Sequence, residues 1–178
     1  MSASARITTY WALFVAMLGV YLTMVLWSLP RIARDAGAPV FDLRSSRYDY
    51  EDARSFLTNL SDEGRDFYLN VQQSLDMIYP ALFGIIVTWS ILWAGKGLPR
   101  WLLRIAVAFA LVSMVADYSE NSAVRGMLLD GPDAINPVQV ASASARTMLK
   151  FSTATVAGIG LILLLVRRGY LWRKGRVL

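Results

Sequence analysis

The stretch that decides the fold is Ile105-Ala106-Val107-Ala108-Phe109-Ala110-Leu111-Val112-Ser113-Met114-Val115-Ala116, which runs straight into Asp117-Tyr118-Ser119-Glu120-Asn121. Its twelve uncharged residues cover about 18 Å as a helix, against roughly 30 Å of hydrocarbon in a bilayer. If this helix crosses a membrane, charged side chains must lie inside it or at its edge. Ionisable groups there are costly and come with a partner or a task. Working outward, three further blocks carry few charges or none: residues 7–30, 77–95 and 151–166. The chain of 178 residues is 56% hydrophobic and only 17% charged; a soluble domain of this size carries more charge and spreads its apolar residues. The reading is all-α: a polytopic membrane protein of one domain, residues 1–178. Four transmembrane helices, at about residues 8–30, 62–95, 99–129 and 137–170, form an antiparallel bundle.

Composition narrows the chemistry. There is no cysteine and no histidine, which removes disulfides, thiolate metal sites, the commonest metal ligand and the usual general base. Neither a metal site nor a cofactor is expected. Any catalysis would fall to carboxylates, lysine, tyrosine, serine or threonine.

The net charge of +5 hides an asymmetry. Arg6, Lys96, Arg100, Arg104, Arg167, Arg168, Arg173, Lys174 and Arg176 lie at the termini and in the second loop, where no acid occurs. All 13 acids fall in the first and third loops or the helices near them. The positive-inside rule then puts both termini in the cytoplasm, and the pattern fits a bacterial inner membrane. The basic tail is read as a topology signal with attraction to anionic lipid, not as a nucleic-acid patch. Ala36-Gly37-Ala38 resembles a cleavage site, but the apolar run before it is too long for a signal peptide. It is read as a retained first helix, ended by Pro30.

In the extracytoplasmic loop, residues 31–61, Asp49 can cap a short amphipathic helix with Ala53, Phe56, Leu57 and Leu60 on one face. That face either lies on the membrane surface or lids the bundle. Ser61 is suited to cap the second long helix. Inside that helix Pro80 removes the hydrogen bond to the Asp76 carbonyl, so a kink or local unwinding is expected there. Tyr68, Gln72, Asp76 and Tyr79 form a polar stripe at spacings of four, four and three. On the fourth helix Thr153, Ala154, Ala157, Gly158 and Gly160 suit close approach of a neighbour. The cytoplasmic half is expected to be lined by apolar residues such as Ile85, Val87, Ala106, Val107, Ile159 and Leu163.

Counting about twenty residues from the cytoplasmic interface brings Asp76, Asp117 with Glu120 and Asn121, and Lys150 to one depth on three helices. The expectation is an outward-opening polar pocket. Asp117, Glu120 and Asp76 are the acid/base candidates. Lys150, Asn121, Tyr79, Tyr118, Gln72, Arg125 and Arg146 are the candidate ligand contacts. With Lys150 alone in reach the cluster is acidic, whereas Arg125 and Arg146 swinging in would neutralise it.

Three functions fit. The first is binding of, or acid/base action on, an amphiphile such as a membrane lipid or isoprenoid, by proton-shifting isomerisation or hydrolysis. The second is a structural or accessory subunit, with a membrane-protein partner or as a homo-oligomer, whose polar cluster only fixes helix packing. The third, a proton- or cation-coupled carrier, is weakest, since the acids gather on one side and no polar path reaches the cytoplasmic half.

Overall fold

The computed structural model describes residues 2–175; Arg176 of the basic tail lies outside them. The described chain is all-helical, with no strand. Four helices are long and apolar enough to cross a membrane: α1 (Ala3–Ala36), α3 (Asp62–Ala94), α4 (Arg100–Asp130) and α5 (Pro137–Arg173). A short helix α2 (Tyr50–Asn59) lies in the first loop. The most extensive pairing is α4 with α5; α3 packs on both, and α1 leans on α3. Along the long helices many apolar side chains face outward: Val15, Leu26, Ile162 and Leu163 are 64%, 72%, 61% and 64% exposed. Side chains so placed on a folded chain need lipid around them. This is a multi-pass membrane protein.

The helix ends follow local chemistry. Ser2 caps α1 by accepting from the Ala5 amide at 3.2 Å, so the helix starts at Ala3, ahead of the expected start near residue 8. Asp49 and Asp52 form a reciprocal capping box on α2, Ser61 accepts from the Gly64 amide, and Asn136 from the Gln139 amide. Each satisfies amides that have no partner within their helix.

Two expectations about the helices are corrected. Pro30 does not end α1, which runs on to Ala36 and stops at Gly37 with φ 64. The reason lies just ahead, where Met24–Ser28 is a π-helical turn in which the Leu29 amide bonds the Met24 carbonyl. The ladder has already shifted register there, so Pro30 stands at the start of a new α segment, where it lacks nothing. Nor does α3 unwind at Pro80. Its π turn is Tyr68–Gln72, further toward the first loop, and residues 73–94 are continuous α-helix. The two π turns touch.

Burial divides into two clusters. The larger joins the first loop to the neighbouring helix ends: Leu29, Ile32, Phe41, Tyr48, Ala53, Phe56, Leu57, Leu60, Tyr68, Val124, Met127, Leu128 and Val140. Ala53, Phe56, Leu57 and Leu60 are thus buried over the helix ends and do not lie on the membrane surface. The smaller cluster, around Val87, Ile91, Ala110 and Ala157, holds the other half of the helices. Ile85, Ile159 and Leu163, expected to line that half, point outward instead. Of the small residues on α5, Thr153 and Ala157 are buried, while a Cβ on Gly158 or Gly160 would meet nothing. The close approach is made elsewhere, by Gly84 of α3 against the Met114 side chain.

The start of α3 is tied to α1. Asp35 accepts from the backbone amide and hydroxyl of Ser61, each at 2.9 Å. A Cβ on Gly64 would run into that carboxylate and into Leu60. Alanine for glycine inside a helix normally gains about 1 kcal/mol. Here Gly64→Ala is expected to lose about 1 kcal/mol, because Asp35 must release Ser61. Denaturant titration followed by circular dichroism checks the sign, and adding Asp35→Ala should remove the penalty.

Candidate functional site

At the first-loop end, polar side chains of four helices meet. Lys150 of α5 lies between the two acids of α4. Its Nζ forms a close ion pair with Glu120 Oε2 and stands 3.5 Å from Asp117 Oδ1. The other Glu120 oxygen accepts from Thr147 Oγ1 at 2.7 Å. Spacings of three on each helix put Asp117 with Glu120, and Thr147 with Lys150, on facing sides. Glu120 is fully buried, whereas the side chains of Asp117 and Lys150 keep 18% and 13% exposure.

A second set of contacts holds Asp76 of α3. Gln72 Nε2 donates to Asp76 Oδ1 at 2.8 Å, and Gln72 Oε1 accepts from Ser28 Oγ of α1 at 2.6 Å. The two π turns thus place Ser28 and Gln72 against each other, and Gln72 sets the orientation of Asp76. The carbonyl that Pro80 deprives of a donor belongs to Asp76, and Asn121 Nδ2 of α4 supplies one at 3.1 Å. One residue on, Tyr118 OH donates to the Met77 carbonyl at 2.9 Å. In return Gln73 Nε2 donates to the Asn121 carbonyl at 3.3 Å. The Asn121 bond thus supplies the donor that the proline removes, and α-helix is continuous through this point. At this contact between α3 and α4, Asp76 Oδ2 and Asn121 Oδ1 have no hydrogen-bond partner among the described residues, on side chains only 3% exposed; Glu120 Oε2 has none either but is paired with Lys150, and Tyr48 OH is a further buried atom without one.

The other candidates are engaged within the protein itself. Arg125 donates to the Leu69 carbonyl at 3.3 Å and Arg146 to the Ser119 carbonyl at 3.1 Å. Each guanidinium takes a backbone acceptor at its own level, nearer the first-loop end, and neither pairs with a carboxylate. Tyr79 stacks on Tyr21 and Phe83, both at 5.9 Å between ring centroids. Tyr118 spends its hydroxyl on backbone. Among the described residues Lys150 is therefore the cation paired with this cluster.

The first loop adds residues that the sequence pattern does not place here. Asp42, in a 3₁₀ turn (Phe41–Leu43), is buried and accepts a short hydrogen bond from Tyr68 OH. The backbone amide of Tyr48 donates to Ser144 Oγ at 3.1 Å, and burial pushes the Tyr48 phenol above its ordinary pKa, so it stays protonated. Asp42 stands between Val40, Phe41 and Leu43, an acid in an apolar setting, but without periodicity nothing in the sequence assigns it to the helices. Phe41, Tyr48, Phe56 and Leu57 of the same loop are buried together with the helix ends on the first-loop side; the loop is apolar enough to bury itself. What exposure the cluster keeps belongs to Asp117 and Lys150, on the flank.

Comparison with protein-family models, with curated proteins and with solved structures gives no match to this chain. The functional reading therefore rests on its own residues.

Proposed function

We propose that this protein binds an amphiphile, lipid- or isoprenoid-like, whose polar head reaches the Asp117–Lys150–Glu120 cluster from the flank of the helices. The carrying observation is Lys150, partly exposed and held between Asp117 and a fully buried Glu120. Buried ionic groups of this kind are costly in lipid and are kept where they do something. The acids Asp42, Asp76, Asp117 and Glu120 outnumber the one cation, which favours a ligand or proton that offsets negative charge. Asp117 and Glu120 share Lys150, so in a reaction they would act as the acid/base pair, with Asp76 set by Gln72 as a third carboxylate. The Arg167 contact with the Lys96 carbonyl and the Arg168 contact with Trp93 gather the basic segments at one end of the helices. This supports cytoplasmic termini in a membrane obeying the positive-inside rule, as in a bacterial inner membrane.

The test uses Asp117→Asn and Glu120→Gln in purified protein. Native mass spectrometry of lipid retained from the membrane should show a loss of about tenfold or more, since a hydrogen bond to a charged group is worth about 1.5–3 kcal/mol. Circular dichroism should stay that of the parent. Unchanged retention with lowered stability would favour the second reading, a structural or accessory subunit. The observation behind that alternative is that Arg125, Arg146, Tyr118 and Asn121 all bind backbone carbonyls.

A further inference from the structure

The polar atoms left over in the cluster are not a random set. Asp76 carries two acceptor oxygens and receives one hydrogen bond, on Oδ1 from Gln72. Asn121 commits its donor, Nδ2, to the Asp76 carbonyl, which holds the Oδ1 of the same amide within the space between α3 and α4. Asp76 Oδ2 and Asn121 Oδ1 can only accept, and neither has a partner among the described residues. Both side chains are 97% buried, since each is 3% exposed. Acceptors left unmade in a buried site are costly. Asp117 stands one helical turn before Asn121, on the same face of α4. Lys150 is already occupied by Asp117 and Glu120. The site therefore presents acceptors and negative charge, and what it lacks is a donor carrying positive charge.

We infer that the head group bound between Asp76, Asp117 and Asn121 is a primary ammonium. Three N–H donors on one small cation match an orphaned carboxylate oxygen, an amide oxygen and a partly exposed carboxylate. A phosphate or carboxylate head would meet like charge and acceptors. A quaternary ammonium brings charge but no donor. Among the described residues no group of three metal-ligating side chains is placed to hold an ion, whereas an ammonium asks only for hydrogen-bond acceptors. The inference rests on reading the cluster as an amphiphile site and narrows it to one head-group chemistry. That ammonium can come from an aminophospholipid or from a free alkylamine.

Protein reconstituted in nanodiscs of phosphatidylethanolamine, phosphatidylcholine or phosphatidylglycerol separates the outcomes when retained lipid is measured by native mass spectrometry. Retention of phosphatidylethanolamine about tenfold or more above both others is expected if the source is lipid. No lipid preference, but calorimetric binding of ethanolamine competed by hexylamine and not by tetramethylammonium, is expected if the source is a free amine. Asp76→Asn should erase either preference, and if that variant does not fold, the head-group comparison on the unmodified protein decides by itself. Equal retention of phosphatidylcholine, or a preference for phosphatidylglycerol, with no ethanolamine binding, overturns the ammonium while leaving an amphiphile site standing. Absence of any bound lipid and of any amine binding overturns both.

Discussion

Lys150→Met is expected to cost about 3–5 kcal/mol of stability, the range for stripping one partner from a buried ion pair. Glu120 is fully buried and, among the described residues, is held by Thr147 and the lysine, and Asp117 loses its cation at the same stroke. Methionine keeps most of the volume, so lost packing contributes little. The loss is therefore electrostatic, and adding Glu120→Gln to Lys150→Met should return most of it, because the amide still accepts from Thr147 without needing a cation. Unfolding in mixed micelles with rising SDS, followed by circular dichroism, gives the four corners of the cycle. If the double variant is no more stable than Lys150→Met, the lysine is not there to hold Glu120, and the cluster's charge logic fails. Such a pair does not argue that the bundle is more stable than an apolar version would be, since a hydrophobic replacement of both partners is often neutral or better. A role for the pair beyond stability is what the proposed ligand site would supply.

Phe56→Ala is the second large effect, about 3–5 kcal/mol for an aromatic removed from a well-packed core. Phe56 is 1% exposed and packs against Phe41 at 4.7 Å and Tyr68 at 6.5 Å between centroids. Its loss should be felt locally. The first-loop cluster and the Val87, Ile91, Ala110 and Ala157 cluster are separate, so the long helices should persist while residues 37–61 open. Hydrogen exchange in that segment should speed up by about a hundredfold or more, following the local free energy lost, while exchange in residues 83–94 stays as it was. Uniform acceleration along the chain would mean that cap and helices unfold as one unit. The cap matters to the site because it carries Asp42 to Tyr68 and Tyr48 to Ser144. Opening it would wet the buried acids from the first-loop side.

The contrast between Gln72 and Arg125 shows how much of the site could be read in advance. Gln72 lies on a stripe with Tyr68 and Asp76 at helical spacing, and spacing places side chains on a face whatever the rest of the fold does. Arg125 extends the face of Asp117 and Asn121 by one turn in the same way, yet it reaches the Leu69 carbonyl and not a carboxylate. A face says which way a residue starts out, not which acceptor a long, flexible side chain finds. Asn121 lies between these cases. Its place at the level of Asp76 follows from counting residues, but its bond to the very carbonyl that Pro80 leaves bare requires α3 and α4 to be set against each other.

By itself, the sequence determined the number of long helices, where most of their helical segments begin and end, and that Asp117 and Glu120 of one helix share a level with Lys150 of another. These follow from hydropathy, capping residues and the fixed rise of a helix, all local or one-dimensional properties. Only the tertiary structure decided that the first loop packs among the helix ends there, that Asp42 bonds Tyr68, that α1 continues through Pro30, and that Arg125 and Arg146 take backbone carbonyls. Each depends on which surfaces bury each other and on which acceptor lies nearest. Those are distances between residues far apart in the chain, and no periodicity encodes them.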